Sequence, residues 1–336
     1  MTLTAATPTT TLVDEAVPGL HRPEPETYQE RLDKLAEHPL ARAGRAEGLF
    51  SGTAHSVRDI WEYRQLLLLL VRRELKARYK DSVLGFLWSL LRPLALLGVY
   101  YVAIGKFLGA AAAIPDYAIF IYTGITIWNL FSEILSSSTG SIIANSGLVK
   151  KIYLPREVFP LSTIGSALFN FAIQLFILVV ATIIAGKPPT GTKLLYGLLG
   201  FVLILVFGTA FAFFLSAVNV YLRDVQYLIE ILLMFGMWTA PVVYSYAKVL
   251  GVSTTHPQGI HKHSALLQVY QANPITLAVE AFQRCFWVAG ETGPGKQIPP
   301  EHLATSIGIE IGIGLLLLWG CQRVFARLQD NFAQEI

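Results

Sequence analysis

Apolar residues in this chain gather into long unbroken runs. Six stand out: Leu90 to Leu108, Tyr117 to Leu135, Val158 to Ala185, Leu194 to Ala217, Tyr227 to Val243 and Leu303 to Phe325. A helix needs about 20 residues to cross the hydrocarbon of a bilayer, and backbone groups in lipid must be paired inside their own segment. The runs therefore predict six transmembrane helices, the fifth broken near Pro241. A β-barrel would alternate over segments of about ten residues, and these runs do not. Ile275 to Val288 is shorter and carries Glu280, Gln283 and Arg284. It predicts a half-buried or re-entrant helix at the external face. A seventh full span there would put the two termini on opposite sides.

Ahead of the first run, the pattern changes. Between Arg58 and Lys80, an apolar stripe (Ile60, Trp61, Leu66 to Leu70, Val71, Leu75) is mixed with Arg64, Arg72, Arg73, Lys76, Arg78 and Lys80. A basic amphipathic helix of this kind lies in the membrane interface; the same face also suits a soluble partner. The organisation that follows is a tail over 1–56, with a short helix from Tyr28 to Leu35, an interface helix over 57–83, a transmembrane domain over 84–326 and a second tail over 327–336. The tail lacks the apolar core of a signal peptide. The fold class is an all-α polytopic membrane protein with six transmembrane helices, an N-terminal amphipathic interface helix and short external re-entrant or gate helices.

Composition agrees. Of 336 residues, 53% are hydrophobic and 15% charged, where a soluble domain carries roughly 25% charged residues. The net charge of +3 gives no reason to expect a nucleic-acid partner, and two cysteines make no disulfide framework. Charge position decides orientation. Positive charge concentrates on the helix before the first span, in the loop with Lys150, Lys151 and Arg156, beside Arg223, and at Arg323 and Arg327. These fall on one side when six spans are counted, so both termini are expected in the cytoplasm. Across the membrane, Lys106 is expected to be matched by Asp116, with Lys187 and Lys193 alone.

The chain carries no phosphate-binding Gly-Lys-Ser/Thr loop and no His-Glu-x-x-His arrangement. His256, His261 and His263 cluster in one loop, a pattern that polar surface explains better than a metal site. Arg92, Glu133, Glu230 and Glu310 are ionisable residues near or inside spans. The first, second and third suit an interface. Glu310 sits beside Gly308, Gly312 and Gly314, and Gly308-x-x-x-Gly312 permits close helix packing. Glu310 is therefore expected to pair with a neighbouring helix, with substrate contact the alternative. Among 19 Phe, 14 Tyr and 6 Trp, Tyr100, Tyr101, Tyr117, Tyr122, Trp128, Phe131 and Trp238 either cover the apolar faces of sugar rings in a conduit or pack on lipid and other helices.

Several stretches resemble ABC-2-type permeases that export polysaccharides or polyol phosphates. In LKARYKDSVLGFLWSLLRPL, from Leu75 to Leu94, the matching residues are Arg78, Tyr79, Ser82, Leu84, Gly85 and Trp88. NSGLVKKIYLPREVFP, from Asn145 to Pro160, is similar to the coupling segment between spans two and three. Asn219, Arg223 and Asp224 resemble a second cytoplasmic contact, and Asn273, Pro274 and Arg284 resemble external gate helices. Arg92 before Pro93 departs from the uncharged residue the resemblance leads one to expect, and the long N-terminal tail is atypical.

The resemblance implies a bacterial cytoplasmic-membrane exporter of O-antigen, galactan or teichoic acid. Two copies of the chain would form the conduit, and two copies of a separate ATPase would bind ATP and Mg; this chain would hold no cofactor, metal or catalytic residue. Arg72, Arg73, Lys76, Arg78 and Lys80 would guide a lipid-diphosphate headgroup to the entrance, membrane lipid around it. The coupling segment, 140–157, would present Lys150, Lys151, Leu154, Pro155 and Arg156 to the ATPase, with Arg223 and Asp224 as the second contact. The external gate region, 244–302, would use Asn273, Pro274, Glu280 and Arg284, with Glu310 nearby. A polyprenyl-dependent membrane enzyme and a proton-coupled transporter fit less well: the carboxylates are scattered, and no relay or internal repeat is visible.

Overall fold

The computed structural model describes residues 51–80, 87–151, 154–249, 265–291 and 302–336. The Tyr28–Leu35 helix, the motif residues Ser82, Leu84 and Gly85, and the histidine cluster at 256–263 lie outside the described residues. Those residues are helices joined by turns and bends. Five helices are long and apolar enough to cross a membrane, and a shorter apolar helix joins them. The chain is an all-α, multi-pass membrane protein.

Among the described residues two helices precede the first span, α1 (Ser51–Glu62) and α2 (Arg64–Tyr79). They meet at Tyr63, where backbone bonds from Tyr63 to Asp59 and from Leu67 to Tyr63 carry the chain on almost as one helix. The first span is α3 (Leu87–Tyr100), which holds Pro93 in its interior and widens into a π-helix over Tyr101–Phe107. The second is α4 (Tyr117–Thr139). A turn at Ser141–Ala144 and the short α5 (Ser146–Lys151) lead to the third span, α6 (Val158–Ile184). The fourth is α7 (Lys193–Tyr221).

The fifth apolar run is shorter than its pattern. Helix α8 (Val225–Thr239) stops two residues before Pro241, since the residue ahead of a proline is driven out of the helical region. Ala240 is accordingly extended. After the turn, α9 (Pro274–Phe286) opens with Pro274 in its first turn and with the Asn273 side chain accepting from the Ile275 amide at 3.0 Å. This helix goes deeper than half-burial: Thr276 to Gln283 are all buried, and it packs on α7 and α4. Where α7 meets it, a Cβ on Gly200 would stand 3.1 Å from the Ala278 carbonyl, so glycine permits that approach. The sixth run forms α10 (Leu303–Leu328), which lies along α7.

The chain buries two apolar clusters. The larger gathers α4, α6, α7 and α9. The smaller lies at one end and joins Leu70 of α2, Ile142 and Val149 around α5, Val158 and Phe159 of α6, Phe213 and Val220 of α7, and Phe325 of α10. Phe332 completes it. It belongs to α11 (Phe332–Glu335), which packs on α5.

Two contacts differ from the charge pattern. Asp116 pairs with Lys187 at 2.7 Å, while Lys106 lies over the Tyr101 ring at 5.9 Å. A Cβ at Gly308 or Gly312 would meet nothing within 4 Å; the close glycine contact of α10 is Gly314, against Val206 and Phe207 of α7. Glu310 has no hydrogen bond or ion pair among the described residues.

Candidate functional site

Helix α2 is docked on the bundle by one edge. A Cβ on Gly165 of α6 would lie 2.7 Å from Val71 Cγ2, so only glycine admits α2 this closely. One turn on, Ser162 Oγ donates to Glu74 Oε1 at 2.8 Å. Burial pushes the Glu74 carboxyl above its ordinary range, against the pull of the Ser162 hydrogen bond and of Arg73 and Arg78.

The five cations expected at the substrate entrance divide accordingly. Arg73 Nη2 donates to Asn145 Oδ1, at the approach to α5. Arg78 Nη1 binds Glu133 Oε1 of α4 at 2.6 Å, and Asn170 Nδ2 of α6 donates to the same oxygen at 2.6 Å. Arg72, Lys76 and Lys80 are exposed. The helix thus offers Arg72 and Lys76 outward and spends Arg73 and Arg78 on protein contacts.

Above Glu133, a polar column climbs between α4 and α6. Ser138 and Thr163 share a hydrogen bond of 2.8 Å near its base, Glu133 and Asn170 form its middle rung, and Asn129 Nδ2 donates to Gln174 Oε1 at 2.9 Å at the top. Gln174 lies 16 residues into α6, about 24 Å along the helix axis from its start. Amides at such depth must find partners, and here they find each other. The column opens into a cleft of about 810 Å³ lined by Arg78, Arg92, Asn129, Glu133, Asn170 and Gln174, with Trp88, Ser89 and Pro93 from α3. A smaller cleft of about 590 Å³ continues at its base past Arg73, Glu74, Ser141 and Gln226. Asn129, Asn170 and Gln174 escaped notice in the sequence. The signal for Asn170 and Gln174 is the run Ser162, Ser166, Asn170, Gln174, one polar residue per helical turn in an apolar span.

The residues expected from the sequence to meet an ATPase share the end that holds the smaller cluster. Lys150, Lys151, Arg223 and Asp224 are exposed, and Leu154, Pro155 and Arg156 are half-buried. Arg156 lies over the Phe332 ring at 5.9 Å, and Tyr221 Oη donates to the Leu328 carbonyl at 2.8 Å. α11 therefore braces this surface from below.

The aromatics split. Tyr117, Tyr122, Trp128 and Phe131 are buried within the chain. Tyr100 and Tyr101 are half-buried, and Trp238 is 53% exposed. Tyr100 Oη reaches Met237 Sδ at 3.6 Å, which brings α3 beside α8. Of the gate residues, Glu280 is buried, Gln283 Nε2 donates to the Pro241 carbonyl at 2.8 Å, and Arg284 stacks 4.1 Å from the Tyr196 ring centroid.

Comparison with known proteins fits this arrangement. The chain is 30% identical over 281 residues to the O-antigen export system permease protein RfbA of Myxococcus xanthus, covering 83% of this chain and 98% of that protein. It is 32% identical over 184 residues to the protein of the same name from Klebsiella pneumoniae, covering 54% and 69%. It is 27% identical over 168 residues to the polysialic acid transport protein KpsM of Escherichia coli, covering 49% and 64%. The model of the ABC-2 type transporter family matches residues 65–287, a stretch that runs from α2, through the polar column and the exposed coupling residues, to the end of α9, and the chain belongs to that family.

Proposed function

We propose that this chain is the conduit-forming permease subunit of an ABC exporter for a lipid-linked polysaccharide. The observation that carries the reading is its match along 98% of a relative named as an O-antigen export permease. The end bearing α2 and α5 is cytoplasmic, both termini lie there, and the membrane is the bacterial cytoplasmic membrane. Two copies pair to enclose the conduit. Two copies of a separate ATPase, holding ATP and Mg, dock on Lys150, Lys151, Arg223 and Asp224.

Geometry supports a route for the work done by ATP. α5 packs with α11 and shares its apolar cluster with α2, so displacement of α5 is felt at the interface helix and, through Arg78, at Glu133. The conduit face falls to residues that a single copy leaves open, Trp238 with Tyr100 and Tyr101 beside it. Tyr117, Tyr122, Trp128 and Phe131 stiffen the wall from behind. α9 closes the outer end as a wedge between α4 and α7.

The test is reconstitution of the chain with its ATPase in proteoliposomes carrying a lipid-linked glycan. ATP-dependent appearance of glycan on the far side is expected. Movement by the permease alone without ATP, or none with both subunits and ATP, overturns the reading.

A further inference from the structure

The cleft between α3, α4 and α6 contains hydrogen-bonding capacity that the fold does not use. Arg92 is five residues into α3, about 8 Å from its start. It is exposed, lines the cleft, and has no hydrogen bond or ion pair among the described residues. Arg78, the other cation in the cleft, is already neutralised by Glu133. The unbalanced positive charge is therefore that of Arg92. Deeper in, the Asn129–Gln174 bond uses one donor and one acceptor. It leaves one amide acceptor and one amide donor side by side, neither sealed from the cleft. A vicinal diol offers the complementary donor and acceptor.

The groups are ordered along the spans: Arg92 stands about 8 Å from the start of α3, and Gln174, with Asn129 beside it, about 24 Å from the start of α6. The head of phosphatidic acid, a phosphate with no diol, would satisfy Arg92 but would leave the amide pair facing hydrocarbon. A free sugar would satisfy the amides but not the cation.

We propose that this cleft binds the glycosyl phosphate head of a lipid-linked glycan, with Arg92 holding phosphate oxygens and the Asn129–Gln174 pair holding hydroxyls of the attached sugar. The proposal rests on the exporter reading and deepens it. It moves head recognition from the outward basic face of α2 to an internal site. Glu133 contributes by pairing with Arg78, which leaves Arg92 as the cation of the cleft that faces phosphate.

The test uses the full complex with its ATPase in nanodiscs, titrated with polyprenyl diphosphate N-acetylglucosamine and followed by native mass spectrometry. Parallel titrations use sugarless polyprenyl diphosphate and phosphatidic acid, whose head carries phosphate but no diol. Arg92→Gln is expected to weaken binding of both diphosphates by about tenfold or more, the scale of one charge-assisted contact, and Arg92→Lys to restore most of it. Asn129→Ala with Gln174→Ala is expected to weaken only the sugar-bearing lipid. Phosphatidic acid is expected to compete far less well than the sugar-bearing lipid. Should Arg92→Gln fail to assemble with the ATPase, the Arg92→Lys and amide variants carry the comparison of sugar-bearing with sugarless lipid.

Unchanged binding in Arg92→Gln overturns the site. So does equal competition by phosphatidic acid, or indifference of the sugar-bearing lipid to the amide substitutions. The same nanodisc preparations, transferred to proteoliposomes, separate the two readings. Wild-type export with head binding insensitive to Arg92 overturns the cleft site alone. Head binding through Arg92 without ATP-driven glycan movement overturns the exporter reading and leaves the site standing.

Discussion

Arg78 and Glu133 form an ion pair of 2.6 Å between residues 55 apart in sequence, and it ties the interface helix to the second span. The arginine is 40% exposed and the glutamate 22%, so solvent screens part of the attraction. Asn170 shares the glutamate oxygen, which makes the three residues one unit. Glu133→Gln keeps the shape and removes the charge. A double-mutant cycle with Arg78→Gln is expected to show a coupling of about 0.5–3 kcal/mol, read from denaturation of the purified protein in mild detergent. Additive effects of the two substitutions would show that the pair does not hold α2 in place.

The docking of α2 has a second anchor in Gly165. Alanine there would set its Cβ 2.7 Å from Val71 Cγ2, closer than packed carbons tolerate. Gly165→Ala is expected to destabilise by about 1–3 kcal/mol, the usual scale of overpacking. Val71→Ala should restore most of that loss by vacating the space. A Gly165→Ala variant as stable as the parent contradicts the close approach of α2 and α6.

Glu74 gives a pH dependence whose sign is fixed by its surroundings. Its carboxyl is raised above the ordinary value of 4.5, mainly by burial. The folded state therefore holds this proton more tightly than the unfolded state, and the ionised form carries a penalty. That penalty is present in full above the raised folded-state value and is relieved as pH falls through it toward 4.5. Glu74→Gln, which retains an acceptor for Ser162, is expected to melt higher than the parent at pH 7.5. The difference should shrink on acidification. A gap that widens toward low pH contradicts the assignment.

The five long spans and the shorter apolar α8 were legible in the sequence because apolar runs and the need to pair backbone groups in lipid leave little choice. Departures from the runs have local causes. Pro241 ends α8 early, and the π-helical turn lets Tyr101–Phe107 continue α3 to the full length of a span. The site was harder to read. Asn170 and Gln174 recur at helical spacing, yet nothing in α6 alone says that Glu133 and Asn129 of α4 face them. Likewise, the composition of Trp128 and Trp238 is the same, but a contact with Gly236 helps bury one while the other stays exposed. Which face of an apolar helix meets protein is decided by neighbours far away in sequence.

The amide rung at Asn129 and Gln174 separates structural from functional roles of the column. Asn129→Leu alone leaves a buried Gln174 without its partner and is expected to cost about 1–3 kcal/mol. Adding Gln174→Leu removes the stranded group, so thermal stability should recover most of that loss. ATP-driven glycan movement should not recover, because an apolar rung has no bond to offer a sugar. Recovery of stability and transport together would reduce the rung to packing.

Phe332 tests whether the C-terminal hook acts on the coupling surface. Its ring is fully buried, meets Phe325 at 5.6 Å between centroids, and lies under Arg156 at 5.9 Å. Phe332→Ala removes a buried aromatic side chain and is expected to destabilise locally, by up to about 3–5 kcal/mol if the gap does not collapse. The loss falls in the smaller cluster, beside Val149 of α5, and leaves the larger cluster untouched. The spans should therefore stay folded while α5 loosens. ATP hydrolysis by the bound ATPase is expected to continue with less glycan moved per ATP, and Phe332→Leu should recover part of the ratio. An unchanged ratio of glycan moved to ATP hydrolysed would show that α11 covers apolar surface without transmitting force.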